Sequence, residues 1–357
     1  MKIELPIDFE NIECITDCWI YNRLIILKTS PYYEDWIASH YSLSVNNIFN
    51  FRFGDAERIS PEYHDAILQR VPIKISDLNT SNIVDNLKHY LSQGYYVNMF
   101  IKLFHGIVQG KERYHEVVFY GYDDEKQTFS VIRAWGGSFQ AVAYDYAYIQ
   151  ETFPGVYNNF ISNEILGMDL SLGFQYPVTA FKLNPYFEPS NCVYGAYYKL
   201  KKELYGGTYC NYDSFELDKY NDKKGYRGIY CLYAFKQMLE KEINGERFHG
   251  QFRGIMAATK KICEHRLLII RSMNYILKKW DKVVNEEAKA CLNNYIQTFE
   301  TVQIWLGLAI KYELIHDKSI LQRIISKIPT VFLKEQQCLD GFVNKGVEWN
   351  SFNRQIL

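Results

Sequence analysis

Apolar residues recur with two different spacings along this chain, and the change from one to the other falls near residue 188. Before it, runs of aromatic and branched aliphatic residues predict strands over 95–103, 115–122, 128–135 and 178–183. From about Asn191 the apolar positions repeat every three to four residues, which predicts helices over 193–204, 230–242, 254–280, 284–312 and 318–328. Pro329 is expected to end the last of these helices. The fold class indicated is α+β over residues 1–188, followed by an all-helical domain over residues 189–357.

Within the first half, two helices and a hairpin are predicted. Residues 14–28 (CITDCWIYNRLIILK) are apolar around most of the helix circumference, which is typical of a buried helix. A second helix runs from Ser81 to Leu91, and Gly94 ends it. The strands over 115–122 and 128–135 are joined by a short polar segment, DDEKQ, so they form a hairpin. We expect this hairpin to belong to a central antiparallel sheet.

Composition and charge exclude several classes of protein. Apolar residues make up 48% of the chain and charged residues 23%, as in ordinary globular proteins and unlike disordered ones. The 40 Lys and Arg residues nearly balance the 41 Asp and Glu residues, so neither nucleic acid nor a membrane surface is an expected partner. The 30 Tyr and 22 Phe residues suit a deep amphipathic groove and a large core equally well.

Targeting and redox signals point to the cytoplasm. The N-terminal sequence MKIELPIDFENIEC is acidic where an export signal is basic and then apolar, and no run approaches the roughly 18 apolar residues of a membrane span. Eight cysteines are scattered along the chain, as expected for reduced thiols. Because neither a CxxC nor an HExxH pattern is present, no metal site is predicted.

Two cysteines and one histidine are the candidates for catalysis. A cysteine nucleophile belongs at the start of a helix, where the helix dipole favours the thiolate, with a histidine supplied from elsewhere in the fold. Cys14 stands at the start of the predicted helix, and His115 opens a strand of the predicted hairpin. Cys18 is the alternative nucleophile, because Trp19 follows it as an aromatic residue follows the nucleophile of papain-type enzymes. Its predicted position a full turn inside the helix favours Cys14 instead.

The residues around His115 resemble a known family. The strand GYYV (94–97) and the segment HEVVFYGYDDEKQTFSVI beginning at His115 resemble the C39-peptidase-like and butirosin-type acyltransferase families. The helical segments 227–240 and 245–277 are similar to the helical tail of butirosin-type proteins. In that family the histidine stands in an H-x-V-x-x-x-G-Y-D-D context, which this chain matches. The resemblance implies a papain-like fold, in which a nucleophile helix packs on an antiparallel sheet. It also implies a helical domain that caps the cleft or forms a homodimer.

An activity follows from the same resemblance. It implies that Cys14 accepts an acyl group from the phosphopantetheine thioester of a carrier protein and passes it to a small amine, with no cofactor bound to the chain itself. Similar enzymes form amides in nonribosomal antibiotic pathways, including the pseudopeptide pathways of anaerobic clostridia. Two alternatives stay open. One is a cysteine peptidase or amidase using the same Cys–His site, and the other is a non-catalytic scaffold of a biosynthetic cluster.

One position departs from the family pattern. Where the family places an acidic residue to orient the histidine, this chain has Arg133, which cannot accept a hydrogen bond. The site could then work as a Cys–His dyad, or Asn98, Asp145 or a backbone carbonyl could orient His115, or the protein has lost catalysis. Arg133 itself is a candidate for binding an anionic group such as a pantetheine phosphate or a substrate carboxylate. Its plainer interpretation is a solvated charge at the end of a strand.

Overall fold

The computed structural model of this chain describes most of its residues. They are residues 1–12, 15–16, 18–46, 49, 51–54, 67–73, 80–108, 111–135, 138–161, 178–189, 192–205, 208–210, 224–246, 254–280 and 284–347. In chain order the elements are β1 (Lys2–Glu4), α1 (Cys18–Leu27), α2 (Tyr33–Ser39), β2 (Ser42–Asn46), β3 (Phe51–Gly54), β4 (Leu68–Ile73), α3 (Ile83–Ser92), β5 (Tyr96–Val108), β6 (Lys111–Asp123), β7 (Thr128–Trp135), β8 (Ser138–Asp145), α4 (Tyr146–Ile161), β9 (Val178–Leu183), α5 (Cys192–Tyr205), β10 (Thr208–Cys210), β11 (Lys224–Arg227), α6 (Cys231–Asn244), α7 (Ile255–Lys279), α8 (Glu286–Ile315) and α9 (Lys318–Asp340).

The chain divides into two compact units. The first contains residues 1–31 and 66–187, and the second contains residues 32–65 and 188–357. One division between them falls beside residue 188, and the segment 32–65 groups with the C-terminal residues. The assignment of residues 1–188 and 189–357 to two separate domains stays a prediction.

A seven-stranded antiparallel sheet forms the centre of the first unit. Its strand order is β4-β9-β5-β6-β7-β8, and β1 pairs with the end of β6. Side chains alternate between the two faces of a strand, so every second residue shares a face. One face carries an apolar cluster with the inward stripes of α3 and α4, including Leu87, Val117, Phe119 and Phe153. The α+β prediction is confirmed at this level, and so is the hairpin, with strands at 111–123 and 128–135.

The second unit is rich in helices but is not all-helical. A second antiparallel sheet has the strand order β10-β11-β2-β3. In it β10 pairs with β11, β11 with β2, and β2 with β3. The prediction of an all-helical region after residue 188 is therefore wrong for residues 208–210 and 224–227. These strands are three and four residues long and one of them pairs with residues far away in the sequence, so local periodicity gives little sign of them. The helices α6 to α9 form the predicted helical region beyond them.

Helix α9 continues past the proline that was expected to end it. Pro329 lies inside the helix, which runs on to Asp340. A proline removes one backbone hydrogen bond and crowds the preceding turn. Val331, Phe332 and Leu339 are nevertheless buried beyond it. Burial of this apolar stripe offsets the local cost of the proline, which a sequence rule about proline does not take into account.

Candidate active site

The helix that was predicted to carry the nucleophile begins at Cys18. Ile15 and Thr16 precede it in non-helical backbone, and α1 runs from Cys18 to Leu27. The predicted helix start at Cys14 is therefore wrong. An apolar run indicates which residues are buried, but it does not mark where the helix begins. A better signal was available in Asp17, because aspartate is a preferred N-cap residue.

The observed start of α1 changes which of the two cysteines is the better candidate for the nucleophile. The first N–H groups of a helix have no partner within the helix, and together with the dipole they favour an anion at its N-terminus. Cys18 occupies that backbone position, and the argument that preferred Cys14 depended on a helix start that is not observed. Cys14 and the side chain of Cys18 lie outside the described residues. The identity of the nucleophile stays a prediction.

His115 lies on the central strand β6, where its ring is held by a backbone carbonyl. It is half-buried and stands opposite Ile101 of β5. Its Nδ1 lies 2.8 Å from the carbonyl oxygen of Glu116. Because a carbonyl can only accept, Nδ1 carries the proton and donates it, which makes Nε2 the basic nitrogen of the neutral ring. A general base that acts through Nε2 requires this tautomer.

Arg133 stands beside His115 on the same face of the sheet. It pairs with Val117, so His115, two residues before Val117, is its diagonal neighbour. Arg133 is half-buried, and it donates to the hydroxyl of Tyr144 at 3.1 Å and to Oε1 of Gln140 at 3.5 Å. The guanidinium is therefore bound to β8 rather than simply solvated. Its role in binding an anionic group stays a prediction.

The two side chains considered for orienting His115 lie elsewhere. Asn98 stands opposite Val118, on the face away from His115. Asp145 is exposed at the far end of β8, paired with Thr128. Of the orienting groups that the sequence suggested, the one observed at the imidazole is a backbone carbonyl, that of Glu116.

A set of buried hydrogen bonds connects α1 with the strand that carries His115. Nδ2 of Asn22 donates to Oδ1 of Asn98 at 3.0 Å, and Nδ2 of Asn98 donates to the Glu116 carboxylate. These roles were not predicted from the sequence. Asn98 and Glu116 were nevertheless visible as polar residues inside apolar strands, in YVNMF and HEVVF, where a polar residue requires a buried partner.

Helix α1 therefore reaches the sheet on the face opposite the His115 imidazole. Pairing between β6 and β7 begins at Val117, so His115 lies just beyond the end of that ladder. A group approaching from α1 would meet the imidazole around the end of the β6–β7 ladder. This geometry sets a specific requirement for any reaction that uses both Cys18 and His115.

The remaining candidates do not add to this site. His265 is fully buried in the second unit, where its Nε2 lies 3.0 Å from Oε1 of Glu203. Among the described residues, no group of three His, Cys, Asp or Glu side chains is placed to hold a metal ion. In the same part of the chain, no helix is both long and apolar enough to span a membrane.

No model of a known protein family matches the chain, and no curated protein matches it significantly.

Proposed function

We propose that this chain is a cysteine-dependent acyltransferase with a papain-like arrangement, in which Cys18 is the nucleophile and His115 the general base. The observation on which this depends is that α1 begins at Cys18, in the unit whose central strand holds His115 in the basic Nε2 tautomer. The helix start favours a thiolate, and the tautomer favours proton transfer at Nε2. The resemblance around His115 supplies the substrate class.

The first half of the reaction would transfer the acyl group to the enzyme. Cys18 gives its thiol proton to Nε2 of His115, and its sulfur attacks the carbonyl carbon of a carrier-protein thioester. The backbone N–H of Cys18 at the helix start stabilises the oxyanion that forms. The tetrahedral intermediate then expels the pantetheine sulfur, which takes up the proton from His115.

The second half would form the amide. A small amine attacks the Cys18 acyl-enzyme, and Nε2 of His115 accepts the proton that the amine loses. The Cys18 sulfur leaves as the amide bond forms, and the proton returns to the thiol. Because no step needs a redox or metal cofactor, the only cofactor involved is the pantetheine of the partner carrier protein.

The proposal requires the Cys18 sulfur to approach His115 around the end of the β6–β7 ladder. It can be tested by measuring the intact mass of the protein after mixing with a generic acyl-pantetheine thioester. We expect an acyl adduct on the wild type and on Cys14→Ala, none on Cys18→Ala, and slow formation on His115→Ala. The absence of an adduct on the wild type would contradict the proposal.

The acceptor can be tested with the same adduct. When a primary amine is added, the adduct should disappear and the corresponding amide should appear in equal amount. Discharge into water at the same rate with and without the amine would instead favour a cysteine peptidase or amidase. Loss of the adduct in Cys14→Ala alone would keep the reaction and reassign its nucleophile.

A non-catalytic scaffold is the competing function, and Arg133 is the observation that favours it. At the position of the expected acid, Arg133 is bound by Tyr144 and Gln140. A scaffold should bind a carrier protein without forming any adduct with its thioester. The mass experiment distinguishes these two functions directly.

A further inference from the structure

We propose that Asn98 is a positioning residue for this reaction, connecting the nucleophile helix to the strand that holds His115. The inference rests on the proposed function and adds a residue to it. The hydrogen bonds run from Asn22 on α1 to Asn98 on β5 and from Asn98 to Glu116 on β6. The backbone carbonyl of Glu116 then accepts from Nδ1 of His115. One residue, Glu116, thus bonds to Asn98 through its side chain and to the imidazole through its backbone.

The three polar side chains are enclosed within the first unit. Their exposed fractions are 3% for Asn22, 4% for Asn98 and 5% for Glu116. A carboxylate at such a place is costly unless it is hydrogen-bonded, and an apolar side chain would pack more favourably. Packing alone therefore does not account for Glu116. Its hydrogen bond with Asn98 fixes the residue whose carbonyl orients the base.

Asn98 is suited to this role because its amide both donates and accepts. Its Oδ1 receives the Asn22 amide while its Nδ2 donates to Glu116. A shift of α1 along the sheet would break one of these bonds. Because a displacement of about 1 Å between reacting groups can cost a hundredfold in rate, a fixed distance between α1 and β6 has catalytic value.

The arrangement also offers a replacement for the acid that the family places at position 133. The Glu116 side chain lies on the opposite face from His115, so the carboxylate, held by Asn98, acts on the imidazole through the backbone of Glu116 rather than by direct contact. Arg133 is then not required to orient the base.

The test compares Asn98→Leu with the matched control Thr179→Val. Thr179 is the partner of Asn98 in the β5–β9 ladder and is also buried, but it has no part in the proposed connection. The rate at which iodoacetamide alkylates Cys18 is measured from pH 5 to pH 9 by peptide mass mapping. In Asn98→Leu we expect the midpoint of this profile to rise by about 1 pH unit or more, because the thiolate loses its imidazolium partner. Thr179→Val should keep the wild-type profile.

A second pair of variants separates positioning from a general loss of stability. Asn22→Asp places carboxylates on both sides of the Asn98 amide, which should raise the midpoint as well. Adding Glu116→Gln reverses the direction of both hydrogen bonds, since the Asn98 amide can turn to donate to Asp and accept from Gln. The double variant should return the midpoint toward that of the wild type.

Two results would overturn the inference: an unchanged profile in Asn98→Leu, or no recovery in the double variant relative to Asn22→Asp. The proposed function is checked by His115→Ala in the same assay. If His115→Ala leaves the Cys18 profile of the wild type unchanged, the proposed function fails, and this inference fails with it. If His115→Ala shifts the profile and Asn98→Leu does not, only the positioning role is wrong.

Discussion

Buried polar side chains are arranged differently in the two compact units. In the first, Asn22, Asn98 and Glu116 form hydrogen bonds that lead to a half-buried imidazole at the end of a strand ladder. In the second, Arg266 and Glu335 are both fully buried and joined by two hydrogen bonds of 2.9 and 2.8 Å. The hydrogen bonds of the first unit end at an imidazole that can act as a base. Those of the second unit join buried charged side chains to one another, and we call this a closed arrangement.

The closed arrangement in the second unit extends through His265. Arg266 also bonds to Nδ1 of His265 at 3.0 Å, and Nε2 of His265 faces Glu203. Ser42 donates to the same Glu203 oxygen at 2.6 Å. These buried side chains therefore interact mainly with one another, as in a structural network. The difference teaches that burial of charge does not by itself mark a reactive site, and that the position where the hydrogen bonds end is more informative.

The largest effect is expected from breaking the closed network. Arg266→Ala leaves Glu335 buried without its ion pair, which should lower the free energy of unfolding by about 3–5 kcal/mol. Urea denaturation followed by tryptophan fluorescence measures this, and Trp305 is buried in the same unit. Lys236→Ala, which removes an exposed ion pair with Glu240, is the control and should cost less than about 1 kcal/mol. Similar losses in both variants would contradict a structural network.

A somewhat smaller effect is expected at Gly228, which contacts the same network. Its φ is +65°, and a Cβ there would collide with the Glu203 carboxylate and stand 3.0 Å from the Glu203 Cα. Gly228→Ala should cost about 2–5 kcal/mol, the sum of left-handed strain and overpacking.

Gly245 provides the matched control for this substitution. Its φ is +72°, but nothing lies within 4 Å of the Cβ position. Gly245→Ala should therefore cost only the strain, about 1–2 kcal/mol. Equal losses at the two glycines, measured by urea denaturation, would show that Glu203 moves aside freely and that the network is not rigid.

The corresponding test in the first unit is Gly121→Ala. Its Cβ would overlap the carbonyl oxygen of Ile3 and stand 3.0 Å from the Cα of Glu4, where β1 pairs with β6. Since φ is not positive there, the cost is steric, about 1–3 kcal/mol. We expect faster amide hydrogen exchange in β1 and a lower urea midpoint. In a chain lacking residues 1–5 the same substitution should have little effect, and an equal effect there would place the strain elsewhere.

The predictions from sequence succeeded for elements that are formed by residues close together in the chain. The hairpin over 115–135 follows from two apolar runs and a polar turn, and Gly94 ends its helix with a φ of +80°. The start of α1 was missed because the apolar run begins before the helix does. The continuation of α9 past Pro329 was missed because the packing of that helix offsets the local cost of the proline. Strand β11 was missed because it pairs with β2, which is remote in the chain.

The same reason limits what could be predicted of the candidate site. His115 and Arg133 are on one hairpin, so their spacing alone places them as neighbours. Asn22 and Asn98 are 76 residues apart, and only the packing of α1 on the sheet brings them together. The sequence indicates that a polar residue in an apolar strand needs a partner, but it does not indicate which one.

The smallest expected effect is a dependence of stability on pH, which comes from His265. Burial lowers the pKa of His265, because enclosure penalises the imidazolium. The hydrogen bond from Arg266, which can only donate, independently requires Nδ1 to be unprotonated. Between the unfolded pKa near 6.5 and the lower folded value, the unfolded state binds more protons, so stability falls as the pH is lowered through this range.

Urea midpoints at pH 7.5, 6.5 and 5.5 measure this dependence on pH, and two variants isolate its source. His265→Gln can donate to Glu203 and accept from Arg266 as the neutral imidazole does, so the part of the slope that comes from His265 should disappear. The exposed His89 of the first unit is the control, and His89→Gln should keep the wild-type slope. If His265→Gln kept it as well, His265 would bind as many protons in the folded protein as in the unfolded chain. The hydrogen bond from Arg266 would then not hold Nδ1 unprotonated, and the contrast with the hydrogen bonds that end at His115 would no longer be one between a closed set and an open one.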